Sequence, residues 1–99
     1  MSYSIGHVGF KTKSDVAQHA KALLNRAELG RPLNDEDTEF VAGLFSNHPD
    51  YVNKCGLGVQ FFYVGIIPAW GTRNFLLYRV DGSVDNFSIK NCISHLRPN

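Results

Sequence analysis

The sequence predicts an α+β fold: an antiparallel sheet of about four strands with helices packed on one face, in the order β-α-α-β-β-β-α. Three observations carry that prediction. Two segments of helical period stand together near the front instead of alternating with strands. A long β-prone run, Val59 to Ile67, opens the back half. After it, Phe75-Leu-Leu-Tyr-Arg-Val-Asp-Gly-Ser-Val-Asp-Asn-Phe-Ser-Ile-Lys-Asn-Cys92 reads as strand, tight turn, strand and short helix. Ninety-nine residues, 43% hydrophobic and 19% charged, suit one globular domain over residues 1–99.

Taken in order, residues 3–10 alternate (Tyr3, Ile5 and His7 against Ser4, Gly6 and Val8) and end in Phe10, which predicts a first strand. Gly6 and Gly9 weaken it. Ser14 is placed to cap a helix in which Val16, Ala20, Leu23, Leu24 and Ala27 form the apolar stripe. Lys21 and Arg26 lie toward its C-terminus, where the dipole favours cations, and Gly30 and Pro32 stop it. Asn34 caps a second helix. Asp35, Glu36 and Asp37 crowd its first turn, Phe40, Val41, Leu44 and Phe45 form its apolar face, and His48-Pro49 ends it.

Residues 50–58 read as a connecting loop. Val59 to Ile67 is apolar on both faces, the mark of a central strand. Pro68-Ala-Trp-Gly71 turns the chain, and Arg73 to Val80 returns antiparallel. Asp81-Gly82 supplies the positive φ angles of a two-residue hairpin turn to a short strand ending at Phe87. Ser88 caps the last helix, whose Ile89, Cys92, Ile93 and Leu96 share one face and which Pro98 closes.

The net charge of +1 conceals an asymmetry. Residues 33–50 hold five acids and no Lys or Arg; the remainder holds ten basic residues against four acids, a surplus of six. That is either a modest basic surface or a pair of solvated faces. No apolar run reaches the length of a membrane span and no leader pattern opens the chain. With only Cys55 and Cys92, the expectation is reduced thiols in a cytoplasmic protein.

No constellation points to catalysis. The carboxylates at 35–37 are too adjacent to converge on one point of a helix surface, and nucleophile elbows and phosphate-binding glycine loops are missing. His48, Cys55, Cys92 and His95 could in principle make a zinc site, but there is no C-x-x-C pair and Cys92 falls on an apolar stripe. The expectation is therefore a chain with no cofactor, no metal, no small-molecule substrate and no membrane partner. Nucleic-acid contact has better material. Lys54, Arg73, Arg79 and Lys90 lie in or beside the strands, with Tyr63, Trp70 and Tyr78 as rings that could stack on bases. The alternative is that the rings are core and the cations reach water past it.

His48-Pro49, Lys54-Cys-Gly56-x-Gly58, the aromatic strand after it, and Phe75-x-x-x-Arg79-x-Asp81-Gly82-Ser83-x-x-x-Phe87-Ser88-x-x-x-Cys92 resemble the defective-chloroplasts-and-leaves (DCL-like) domain. The likeness includes Phe10-Lys-Thr-Lys13 and spans nearly the whole chain. Relatives of that family occur as a plant plastid protein implicated in ribosomal RNA processing. Others lie at the C-terminus of the largest subunits of plant-specific RNA polymerases, and small bacterial and phage versions have no established activity. The resemblance implies an RNA-linked accessory or binding domain without catalytic residues. With no transit peptide and no polymerase segment, a stand-alone prokaryotic or phage-type member is expected. Lys54, Arg79 and Lys90 match basic positions of the pattern; Gly56, Asp81, Gly82, Phe87, Ser88 and Cys92 match turn, cap and core positions.

The combined expectation is a non-enzymatic module contacting RNA or single-stranded nucleic acid through Lys54, Trp70, Arg73, Tyr78, Arg79 and Lys90 gathered on one basic, ring-bearing side. The alternative is a protein-interaction module docking on a ribonucleoprotein or polymerase through the central hairpin and Trp70.

Overall fold

The computed structural model describes residues 2–99 and has the α+β architecture that the sequence predicts. Its strands form two sheets instead of one. The expected first strand is a hairpin, β1 (Tyr3–Ile5) and β2 (Val8–Phe10), with Ile5 opposite Val8. Gly6, at φ 61°, occupies the left-handed region that this two-residue turn requires, so the alternation seen in the sequence folds back on itself.

Helix α1 (Lys13–Arg26) is capped two residues earlier than expected: Thr12, not Ser14, accepts from the Asp15 N–H at 3.1 Å. It buries Val16, Ala20 and Leu23. Helix α2 (Asp35–Phe45) is capped by Asn34 as predicted, its Oδ1 accepting from the Asp37 N–H at 2.7 Å, and it buries Phe40, Val41, Leu44 and Phe45. Within the acidic first turn, Asp37 departs from its neighbours. It is buried and accepts both arms of the Arg26 guanidinium at 2.9 Å, tying α2 to the end of α1. That bond holds its carboxyl below the usual aspartate range.

The expected loop at 50–58 contains a short helix, α3 (Tyr51–Cys55), too brief to leave a periodic signature. The main sheet follows: β3 (Val59–Ile67), β4 (Thr72–Arg79) and β5 (Val84–Asn86), antiparallel and in that spatial order. The run read as a central strand is thus at one side, and β4 is central. The outer edge of β3 is covered by the segment after α1, whose Gly30 and Leu33 N–H groups donate to Val64 O and Phe62 O at 2.9 Å. That cover explains why an apparently central strand can end a sheet. The β4–β5 connection is also longer than expected. Val80-Asp81-Gly82 forms a three-residue loop in which only Gly82 has positive φ (86°), closed by Gly82 N–H to Arg79 O at 2.9 Å and Arg79 N–H to Ser83 O at 2.8 Å. Asp81 Oδ1 accepts from the Ser83 N–H and hydroxyl.

The chain ends in α4 (Ile89–Ser94), capped by Ser88 as expected. One face of the main sheet, with Phe62 opposite Leu77 and Val64 opposite Phe75, packs against α1 and α2 around Phe45, Phe87 and Cys92. Among the described residues no helix packs on the other face.

Candidate functional site

The six residues expected to share one side do not: Lys54 lies on α3, Trp70 in the β3–β4 turn and Lys90 on α4, and strand alternation separates the three on β4. Arg73 and Arg79 lie in register with Phe75 and Leu77, on the helix-covered face, whereas Tyr78 pairs with Phe61 and Val84 on the open face. This corrects the expectation of a common wall of cations and rings. Arg73 donates through Nη1 to Leu24 O at 3.1 Å and Ala27 O at 2.7 Å, so it caps the last turn of α1. Lys90 is exposed on α4 and makes no ion pair among the described residues.

Lys54 and Arg79 do come together, on Asp85. Its Oδ2 accepts from Lys54 Nζ at 3.2 Å and Arg79 Nη2 at 3.0 Å. Lys54 Nζ also donates to Asn86 O at 2.9 Å, and Arg79 Nε donates to Lys54 O at 2.7 Å. Arg79 can lie this close to the end of α3 because Gly56 stands beneath it; a Cβ there would be 3.2 Å from Arg79 Cδ. Burial opposes ionisation of Asp85 more than any one contact favours it. The bonds from Lys54, the Asn86 N–H and Arg79 together prevail, and its carboxyl sits below the ordinary value. The side chains of Lys54 and Arg79 are only 22% and 14% exposed, so both cations serve as ties across α3, β4 and β5.

The cluster has a second consequence. With Ser83 and Phe87 bonded inward to β4, Val84 and Asn86 turn their backbone groups outward along the free edge of β5. The Asn86 N–H donates to Asp85 Oδ1 at 2.8 Å and its carbonyl accepts from Lys54, which leaves little of that edge open to a further strand.

The open face is built differently. Phe61 and Tyr63 from β3 lie opposite Tyr78 and Leu76 from β4, with Val84 and Asn86 beyond them on β5. Phe61 and Tyr78 stack with centroids 4.8 Å apart and planes 9° from parallel, and Tyr63 stands 5.7 Å from Phe61. Gly65 leaves room for Leu76, whose Cδ1 would be 2.6 Å from a Cβ there. Burial, with Tyr78 nearby, holds the Tyr63 hydroxyl above its ordinary value. Trp70, in the β3–β4 turn, is 61% exposed and lines a shallow depression with Ile67, Leu76, Val84, Asn86 and Asp85, whose carboxylate is engaged by Lys54 and Arg79. No Lys, Arg, Asp or Glu occupies an outward position of these three strands. Tyr63 is the ring that the sequence already offers for stacking; Phe61, its neighbour on the same face, is the one it does not single out, although the alternation with Phe62 and Val64 places the two together.

Among the described residues no three His, Cys, Asp or Glu gather as a metal-holding group. Burial pushes the Cys92 thiol up to about 12, which makes it a packed, unreactive sulfur. Burial, then Lys54, holds His48 below its ordinary value, and its Nδ1 accepts from the Asp50 N–H at 2.9 Å.

With this geometry in place, comparison with known proteins is informative. The family described as "Protein of unknown function (DUF3223)" matches residues 21–93, a stretch that runs from α1 through α4. The chain belongs to this family. The DUF3223 chain is 30% identical over 78 residues to DNA-directed RNA polymerase IV subunit 1 of Arabidopsis thaliana, covering 79% of its own length and 5% of that protein. It is 35% identical over 51 residues to Protein EMBRYO DEFECTIVE 514 of the same plant, 52% of its own length and 25% of the relative. It therefore spans a small part of each curated relative. Its fold is also that of an uncharacterized protein from Rhodospirillum rubrum solved by solution NMR, with a TM-score of 0.80, 35% identity, and coverage of 90% of this chain and 85% of that one. No helix among the described residues is long and apolar enough to cross a membrane.

Proposed function

We propose that this DUF3223 domain is a non-enzymatic interaction module that docks on a partner protein through the open face of its β3–β4–β5 sheet. One observation carries the reading: a ring-bearing face without a charged side chain, flanked by an exposed Trp70. The cores of protein interfaces are depleted in charge and enriched in aromatic residues, which is the composition of this face. Nucleic-acid affinity, by contrast, rests on cations that neutralise phosphates, and this face holds none. The similarity to part of a polymerase subunit supports a docking role within a larger assembly. Two free thiols fit a cytoplasmic setting, and a bacterial protein of similar extent fits a stand-alone member of prokaryotic type.

Contact with RNA or single-stranded nucleic acid is the second reading. It has its own support: Lys90 and Trp70 are both exposed, and Trp70 lines a depression that reaches Ser88 and Ile89 at the start of α4.

The test compares wild-type protein with Trp70→Ala and Tyr78→Ala as baits, then titrates the recovered partner and a labelled single-stranded RNA at two salt concentrations. A partner retained by wild type and lost by both variants, with salt-insensitive affinity, is the expected result. Equal recovery by all three, or RNA binding that collapses with salt and requires Lys90, would overturn the protein-docking reading.

A further inference from the structure

The α1–α4 side differs from the open sheet face in chemistry, and the sheet-face docking reading does not use it. The two helices run antiparallel: Ile89 adjoins Leu24 at one end, and Lys13 Nζ donates to Ser94 O at 3.1 Å at the other. Between them lies a groove with an aliphatic floor of Ala17, Ile89 and Ile93. Lys90 and Ser94 line it on the α4 side, Lys13 closes one end, and Lys21 stands one turn beyond Ala17 on α1. None of Lys13, Lys21 and Lys90 forms an ion pair among the described residues. Asp15, the one acid of α1, is two residues from Ala17 and so turned well away around the helix.

We infer that this groove receives an acidic amphipathic segment of a partner protein. Aliphatic side chains one helical turn apart would enter between Ala17, Ile89 and Ile93, and flanking carboxylates would meet Lys13, Lys21 and Lys90. Charge complementarity selects this occupant. A row of cations with no carboxylate among them attracts an acidic partner and repels a basic one. The floor then selects among acidic partners, because it offers aliphatic carbon for apolar side chains and no ring on which a base could stack. The chain's own acidic stretch opens α2, whose apolar residues Phe40, Val41, Leu44 and Phe45 are already buried in the core, so a second copy has no free apolar stripe beside those acids to offer and a different protein is the source.

The inference stands apart from the sheet-face reading and is tested with that face disabled. A fluorescent helical peptide of about four turns, with Leu on one stripe and Glu on both flanks, is titrated against wild type and Trp70→Ala by anisotropy, beside its Glu→Gln counterpart and a single-stranded RNA. Both proteins should bind the Glu peptide saturably, with roughly tenfold weaker binding of the Gln peptide. Amide shifts should centre on Ala17, Lys21 and residues 89–94. Lys21→Glu with Lys90→Glu, both at exposed unpaired positions, should reduce binding at least about tenfold and gain affinity for a Lys-flanked peptide. Ala17→Glu should abolish binding while leaving the helix and the melting curve intact. No saturable binding, equal affinity for the Glu and Gln peptides, tighter RNA binding at the same residues, or self-association abolished by Lys90→Glu would each overturn the inference.

Discussion

The two faces of the β3–β4–β5 sheet are composed alike and behave differently. Phe62, Val64, Phe75 and Leu77 on one side and Phe61, Tyr63, Leu76 and Tyr78 on the other are equally apolar strand residues. The first set is buried beneath α1 and α2; the second is half-exposed. The difference is in what the chain has left to cover them. The described residues form four helices, and α1, α2 and α4 are joined in one core on one side. The charged residues of the same strands follow the covered side too, as ties at its ends, which leaves the open face neutral. Apolarity on both faces of a strand therefore reports two surfaces that want partners, of which this domain supplies one.

The sharpest way to break that comparison is to delete one ring from each face and follow urea unfolding. Phe75→Ala should cost about 3–5 kcal/mol, because it removes a fully enclosed ring and leaves a cavity. Tyr78→Ala, which loses mainly its stack on Phe61, should cost only about 0.5–1.5 kcal/mol. Equal costs would mean that the open face contributes as much to folding as the covered one.

The charged ties come next. Asp85→Ala leaves Lys54 and Arg79 without their shared acceptor and should cost about 1.5–3 kcal/mol. Amide exchange at Asn86 should accelerate in the same variant, since the β5 edge loses its side-chain cover. Unchanged exchange would sink the idea that this cluster protects the edge.

A smaller effect should appear on acidification. His48 has its folded pKa held below the unfolded value of 6.5, so its contribution is complete above that value and declines as the pH falls through the window beneath it. Asp37 and Asp85, also depressed, contribute fully above the unfolded value of 3.8 and lose their contribution below it. Denaturant midpoints measured against pH should therefore fall in two stages. Asp85→Asn should shrink the lower stage to the part that Asp37 carries and, by removing a carboxylate that favours charged His48, should not weaken the upper one.

The smallest effect on stability belongs to Trp70→Ala, expected within about ±0.5 kcal/mol because the indole is mostly exposed. Its loss should matter for binding alone, and a large drop in melting temperature would argue instead that Trp70 is part of the core.

Local chemistry was legible in the residues themselves. The side-chain caps Asn34 and Ser88, the helical stripes of α1, α2 and α4, and the strands on either side of the Val80–Gly82 loop all depend on neighbours a few positions apart, and the sequence displays those neighbours directly. The Gly6-His7 reversal was hidden by an alternation that looks the same whether a strand continues or folds back. Helix α3 was hidden by its brevity. Of the candidate site, the sequence identified Trp70 and Tyr78 as rings and Lys54, Arg73, Arg79 and Lys90 as cations. It could not say where the cations' hydrogen bonds go. Arg73 finds carbonyls 46 and 49 residues away, and Lys54 finds an aspartate 31 residues away. Such partners are chosen by how α1, α3 and β5 are docked on β4. Sequence by itself determined the longer helices and strands and which of their sides are apolar, because those follow from periodicity and local hydrogen bonding. Only the tertiary structure decided which apolar side is covered and which charges are already bound, because both depend on contacts between residues far apart in the chain.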